Sequence, residues 1–121
     1  MPDEFDALNA AGLSDFTVVQ YTAGEDLLVI EASRDLAYYV DAEIRFVNVE
    51  YIALPTYFYD AAFRAATDAE TSELRRLTEW TDDRRVFCIV EDADWPGHER
   101  RYFVVATSAS VNMEHRARVR S

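Results

Sequence analysis

Runs of alternating apolar and polar residues recur along the chain, and they predict a fold rich in β-sheet. In the clearest run, residues 36–46, every second position is apolar and Asp41, Glu43 and Arg45 lie between them. This alternation is typical of a strand with one face on a core and the other in water. The apolar positions then continue in the odd register, so we expect a β-bulge or a sharp bend near Phe46 and Val47.

A first β-hairpin is predicted near the start of the chain. Residues 16–22 and 26–32 are β-branched and apolar runs, and the short loop between them contains Gly24. Short glycine-containing loops between two such runs are typical of antiparallel hairpins.

A second hairpin is predicted near the end of the chain. Residues 85–91 and 100–111 are apolar runs separated by a polar loop at 92–99. The segment Val86 to Val90 is apolar at every position, so we expect this strand to be central and covered on both faces.

Two segments have the spacing of helices. Residues 2–12 begin near a proline, end in glycine and place apolar residues three apart, which predicts a short N-terminal helix. Thr67 and Glu70 have the spacing of a capping box, and Leu74, Leu77 and Trp80 follow at intervals of three. We therefore expect the main helix at about 67–80.

The segment 57–66 fits two interpretations. Its odd positions alternate as a strand would, which we favour, yet Phe58, Ala61, Ala62 and Ala65 also fit one face of a helix. Pro55 interrupts the preceding strand because proline cannot donate a hydrogen bond to a sheet.

Together these elements predict an α+β fold. It would be a mainly antiparallel β-sheet of about six or seven strands, with the helix at about 67–80 packed on it and a short N-terminal helix. The 121 residues suit one domain, and no linker-like segment divides them, so we expect a single globular domain over 1–121. The polar segment 112–121 is expected to be a frayed basic tail.

The chain is strongly acidic, with 23 acidic and 12 basic residues and a net charge of −11. This charge repels nucleic-acid phosphates and anionic membranes, so we expect neither as a partner. The acidic start is unlike a secretory signal, and no run of about 20 apolar residues occurs. Cys88 is the only cysteine, which excludes an internal disulfide and agrees with a cytoplasmic protein.

The acidity is concentrated in the first half of the chain. Residues 1–60 contain 12 acidic residues against Arg34 and Arg45, whereas the second half is nearly balanced. Asp41 and Glu43 lie on the polar face of the predicted strand and are candidate residues for binding a basic protein. The basic residues near the carboxyl terminus, from Arg116 onward, would be solvated or would dock on this acidic half or on that of a second copy.

Aromatic residues are densest in the middle of the chain. Tyr51, Tyr57, Tyr59 and Phe63 could form ordinary core, an interface or the wall of a small-molecule pocket. On the predicted helix, Glu70 and Glu73 border the apolar stripe. They are weak catalytic candidates, because burial and mutual repulsion would raise one carboxyl pKa.

No other set of residues indicates a cofactor, a metal or a nucleophile. Cys88 lies in a fully apolar run, where a buried structural cysteine is expected. His98 and His115 would need carboxylate help to bind a metal, and the acidic loop beside His98 fits a solvated hairpin tip better.

Two functional hypotheses follow from the sequence. The first, which we favour, is a non-enzymatic protein-binding module, similar in composition to small acidic inhibitors and immunity proteins, that engages a basic partner. The second is a small-molecule-binding or enzymatic domain whose tyrosine-lined pocket is edged by Glu70 and Glu73. Self-association is compatible with either, since an apolar strand and many aromatic residues would leave a face to cover.

Overall fold

The computed structural model describes residues 3–22, 24, 26–78, 80–91 and 99–117. These residues form two short helices, α1 (Asp6–Ala10) and α2 (Asp68–Arg75), and nine strands. The strands are β1 (Asp15–Thr22), β2 (Leu27–Ser33), β3 (Tyr39–Val47), β4 (Tyr51–Ala53), β5 (Tyr57–Tyr59), β6 (Ala61–Ala65), β7 (Arg85–Glu91), β8 (Arg100–Ala106) and β9 (Ser108–Ala117).

The strands form two antiparallel sheets. A five-stranded sheet has the order β5-β1-β2-β3-β9, and a four-stranded sheet has the order β4-β8-β7-β6. Alternate residues of both sheets contribute to one core, so the two sheets face each other. The prediction of a mainly antiparallel β-sheet with a short N-terminal helix is confirmed, whereas the expected number of strands, six or seven, is wrong.

The core is aromatic and is closed at one end by α1. Phe5, just before this helix, lies 5.6 Å from Phe63 and 5.8 Å from Phe87 between ring centroids, and 6.5 Å from Phe46. These four rings are at most 1% exposed. Such ring pairs add to the stabilisation gained by burying their area, and they hold residues from both sheets and α1 together.

The chain changes sheet at residues with left-handed backbone. Asn48 (φ 53°) separates β3 from β4, and Asp60 (φ 49°) separates β5 from β6. Asparagine and aspartate tolerate this conformation better than other non-glycine residues. The expected bend after Phe46 is therefore real. Val47 is still the last residue of β3, whereas Tyr51 and Ala53 of the odd register belong to β4 in the other sheet. The strand interpretation of 57–66 is also confirmed, but as two strands in different sheets.

The helix expected over 67–80 is much shorter, since α2 ends at Arg75. Its start is as predicted: Thr67 and Glu70 form a complete capping box. After Arg75 the chain continues only as a turn, in which the Arg76 N–H donates to the Glu73 carbonyl and the Leu77 N–H to the Leu74 carbonyl. Leu77 is 58% exposed and does not extend the buried face. Only Leu74 of α2 is buried, so the expected main helix packed along a sheet is not formed.

Both predicted hairpins occur. β1 pairs with β2, and β7 pairs with β8. β7 lies between β8 and β6, and Val86 to Ile89 are buried, as expected for a central strand.

The frayed tail predicted at 112–121 is wrong as far as Ala117. The chain leaves the second hairpin at Thr107 and forms β9, which pairs with β3 along most of its length. Residues 118–121 lie outside the described part of the chain. Neither helix formed by the described residues is long and apolar enough to cross a bilayer.

Candidate functional site

A cavity of about 520 Å³ opens where β2 turns into β3, beside the end of β9. Its volume lies in the range of small-molecule sites. Apolar side chains cover part of the wall and polar or charged groups cover the rest. The lining residues are Ala11, Leu13, Ser33, Arg34, Asp35, Tyr39, Asp41, Met113 and His115.

The main polar feature of this cavity is a contact between Asp41 and His115. β3 and β9 change register between Val40 and Ala42, and this irregularity brings Asp41 beside His115. The His115 Nδ1 and Asp41 Oδ1 atoms are in hydrogen-bond contact. The side chain of Asp41 is 20% exposed and that of His115 is 65% exposed, so the imidazole lies at the mouth.

Two further donors fix the Asp41 carboxylate. The Ser33 hydroxyl donates to Oδ2 at 3.0 Å, and the Arg34 backbone N–H donates to the same oxygen at 3.1 Å. The hydrogen bond with His115 lowers the pKa of Asp41, and these donors act in the same direction against the opposing effect of burial. Asp41 is therefore ionised at neutral pH and holds the imidazole in a set orientation.

The contact with Asp41 also selects the tautomer of His115. An ionised carboxylate can only accept hydrogen bonds, so Nδ1 carries the proton and Nε2 of the neutral ring is an acceptor. The Tyr39 ring stacks on the imidazole, with 4.9 Å between centroids and 30° between planes.

The arrangement is not that of a serine hydrolase. Ser33 bonds to Asp41 rather than to His115, and it is completely buried. In a catalytic triad the histidine lies between the hydroxyl and the carboxylate so that it can take the hydroxyl proton. Here the carboxylate lies in the middle, so Ser33 positions Asp41 instead of acting as a nucleophile.

Glu70 is ionised at neutral pH. Arg64 contacts both of its oxygens, at 2.7 and 3.1 Å, and the Thr67 backbone N–H donates to it at 2.9 Å. The bond with Arg64 is the main cause that lowers the pKa of Glu70 to about 2, despite its burial. This is the opposite of the raised pKa expected from the sequence, and a group ionised at neutral pH cannot serve as a general acid.

Glu73 does not share the environment of Glu70. Its side chain is 61% exposed and pairs with Arg76 on the helix surface. The two glutamates therefore do not form the acid–base pair considered from the sequence.

The four aromatic candidates are separated by the fold. Phe63 is in the main core, Tyr51 packs against a smaller cluster around Leu74, and Tyr57 and Tyr59 are exposed on β5. None of them lines the cavity at Asp41 or a second cavity of about 310 Å³ beside Asn9 and Asp60. The structure does not bring them together with Glu70 and Glu73 around either cavity.

The acidic candidates on β3, Asp41 and Glu43, already have partners within the molecule. Glu43 contacts Arg45 at 2.5 Å and Arg116 at 3.2 Å, and Arg116 also contacts Glu31 at 3.2 Å. Arg116 thus docks on the acidic half of its own chain, one of the alternatives considered for the carboxyl-terminal residues. Asp41 is likewise engaged within the molecule.

Cys88 is buried, as expected, and burial raises its pKa to about 11. The acidic loop 92–98, including His98, lies outside the described residues. Within the part that the structure describes, no three His, Cys, Asp or Glu side chains are placed to hold a metal ion.

Sequence reasoning missed the contact between Asp41 and His115. The two residues are 74 positions apart, and only the pairing of β3 with β9 brings them together. From the sequence, Asp41 is a candidate for binding a basic partner and His115 is a histidine that needs carboxylate help to bind a metal. No local pattern links the two residues.

Comparison of the chain with protein-family models, with curated proteins and with solved structures finds no match.

Proposed function

We propose that the protein is a non-enzymatic binding module, of the inhibitor or immunity-like kind, that engages a basic protein partner. The observation that carries this proposal is an exposed tyrosine pair on β5 beside carboxylates that have no arginine partner. We call Tyr57, Tyr59, Asp15 and Asp60 the tyrosine–acid face.

The tyrosine pair is accessible and ordered by the sheet. Tyr57 is 42% exposed and Tyr59 is 53% exposed, and their rings meet edge to face at 5.0 Å. β5 is an edge strand in which Tyr57 pairs with Thr17 and Tyr59 pairs with Asp15. Rigid, half-exposed tyrosines are typical anchors of protein interfaces.

Asp15 and Asp60 supply the negative charge of this face. Asp15 lies opposite Tyr59 on β1, and Asp60 follows Tyr59 in the chain. Neither carboxylate forms a salt bridge with any described residue, whereas Glu31, Glu43 and Glu70 all contact arginines. The net charge available to an incoming cation is therefore greater here than along the centre of β2 and β3.

Arginine is the side chain that this combination suits best. Its guanidinium stacks on aromatic rings and pairs with carboxylates at the same time, whereas lysine is a more strongly hydrated point charge. The charge of −11 on the whole chain would also accelerate encounter with a basic partner at low salt.

Binding of a labelled nona-arginine peptide, followed by fluorescence anisotropy, tests the proposal, with nona-lysine as the matched probe. We expect tighter binding of nona-arginine and weaker binding of both peptides as salt is added. Replacing Tyr57 and Tyr59 together by alanine should weaken nona-arginine binding about 3- to 10-fold and leave nona-lysine binding nearly unchanged.

Two further variants serve as controls. The double change to phenylalanine keeps both rings and should keep most of the affinity, and Tyr38→Ala removes a tyrosine that is 63% exposed outside this face. Equal binding of the two peptides, together with no effect of removing the rings, would show attraction by net charge alone and would contradict the proposal. Self-association stays a prediction, which sedimentation velocity of the same samples tests.

A further inference from the structure

We infer that the cavity beside Asp41 and His115 is a binding site for a small planar molecule that carries an O–H or N–H donor. The tyrosine–acid face has no part in this inference. It depends on three observations: a cavity of small-molecule size, a stacked pair of rings at its mouth, and an acceptor nitrogen held in a set orientation.

The rings provide the surface for a planar ligand. Tyr39 and His115 stack at 4.9 Å, and both remain substantially accessible, with 44% of Tyr39 and 65% of the His115 side chain exposed. Ala11, Leu13 and Met113 supply the apolar part of the wall. Methionine adapts its shape to a ligand and makes favourable contacts with aromatic rings.

When the His115 ring is neutral, Nε2 is its acceptor atom. Because Nδ1 of His115 donates its proton to the hydrogen bond with Asp41, Nε2 is the ring nitrogen available to a ligand. No described residue forms a hydrogen bond with Nε2. Ser33 and the Arg34 backbone N–H hold Asp41 from its other oxygen. A ligand would therefore meet an acceptor whose direction is already fixed, which reduces the entropy lost on binding.

The charged groups at the rim suit a neutral ligand. Arg34 and Asp35 both line the cavity and carry opposite charges, and the Asp41 carboxylate is engaged by its three donors. The Arg34 guanidinium donates to the Ala11 carbonyl at 3.4 Å, and the Asp35 carboxylate accepts from the Ala37 N–H at 3.1 Å. A ring with one weakly acidic donor meets both the apolar wall and the nitrogen acceptor.

Phenol is the probe that tests this inference, with anisole and cyclohexanol as matched controls. Anisole keeps the ring but lacks the donor, and cyclohexanol keeps the hydroxyl but is not planar. Imidazole resonances in long-range ¹H–¹⁵N correlation spectra report on Nε2, and His98, the other histidine of the chain, provides an internal reference.

We expect phenol to shift the His115 resonances in a saturable manner, with a dissociation constant on the order of 1 mM, and to leave those of His98 unchanged. Anisole and cyclohexanol should each bind several-fold more weakly. Equal responses to all three compounds, or no saturable shift of His115, would overturn the inference.

Three variants separate the ligand site from a purely structural contact. His115→Phe keeps a ring but removes the acceptor, and Asp41→Asn allows Nε2 rather than Nδ1 to carry the proton, so both should weaken phenol binding at least several-fold. Resonances of Tyr102, which packs against the core, report whether each variant is folded. Equilibrium dialysis measures phenol binding, because His115→Phe no longer has the histidine signal. His98→Gln should bind phenol as the unaltered protein does. Undiminished binding to folded His115→Phe would contradict the inference.

Discussion

Asn9 is joined to the backbone of Phe63 by two hydrogen bonds. The Asn9 side-chain amide donates to the Phe63 carbonyl at 2.8 Å, and the Phe63 N–H donates to Asn9 Oδ1 at 2.9 Å. β6 is an edge strand of the four-stranded sheet, and Asn9 takes the place that a further strand would occupy. An α1 side chain thereby protects the sheet edge from pairing with other chains.

Asn9→Ala should lower the free energy of unfolding by about 1–3 kcal/mol, because both polar groups of Phe63 lose their partner. Urea unfolding measures this change. The control is Asn112→Ala, whose exposed side chain donates a long hydrogen bond to Glu114 at 3.4 Å and should alter stability by less than about 0.5 kcal/mol. Equal stability of the two variants would mean that water replaces Asn9 at no cost.

Glu70 should make the stability of the protein depend on acidity. Its pKa is about 2 in the folded protein against an ordinary value of 4.5. The folded state therefore gains stability above pH 4.5, and this gain is lost progressively as the pH falls from about 4.5 to about 2. Because Arg64 is partly exposed, we expect a gain of about 2 kcal/mol at neutral pH.

Urea unfolding over this pH range, with Glu70→Gln and Glu73→Gln as a pair, checks this expectation. Glu70→Gln should be less stable than the unaltered protein at neutral pH, and the difference should shrink toward pH 2. Glu73→Gln should follow the unaltered protein closely, since its side chain is 61% exposed. Parallel pH profiles for all three proteins would contradict the assignment.

The Cys88 thiol should be unreactive toward disulfide reagents in the folded protein. It is buried, and its pKa of about 11 leaves almost no thiolate at neutral pH. We expect labelling by a disulfide reagent such as Ellman's to be at least about 100-fold slower in buffer than in denaturant. Comparable rates in the two conditions would show that β7 opens readily.

Arg116 should hold the end of β9 on the five-stranded sheet. It contacts Glu31 and Glu43, which lie directly opposite each other on β2 and β3. Arg116→Ala would leave two adjacent like charges, so we expect a loss of about 1 kcal/mol and faster amide exchange over the last residues of β9. The control is Arg45→Ala, which removes an exposed partner of Glu43 alone and should leave exchange in β9 nearly unchanged.

Local sequence patterns predict where most of the strands form and where α2 begins. Alternation over β3, the glycine-containing loop between β1 and β2, and the capping box at Thr67 and Glu70 all depend on neighbours within a few residues. Such signals specify secondary structure because side-chain period and backbone capping are local properties. The burial of β7 was predictable for the same reason, since a strand without polar positions has no polar face to expose to solvent.

The division of the strands between the two sheets follows from long-range pairing, which no local pattern shows. A period of two shows which face of a strand is buried but not which sheet it joins. The bend after Phe46 was therefore predicted without the change of sheet at Asn48, and neither the break at Asp60 nor the pairing of β9 with β3 was evident. The same pairing places His115 against Asp41, and the hydrogen bonds from Arg64 keep Glu70 ionised. The first contact joins residues 74 positions apart, whose proximity is created only when β9 pairs with β3. The second joins residues only six apart, but it requires that β6 and α2 be placed side by side.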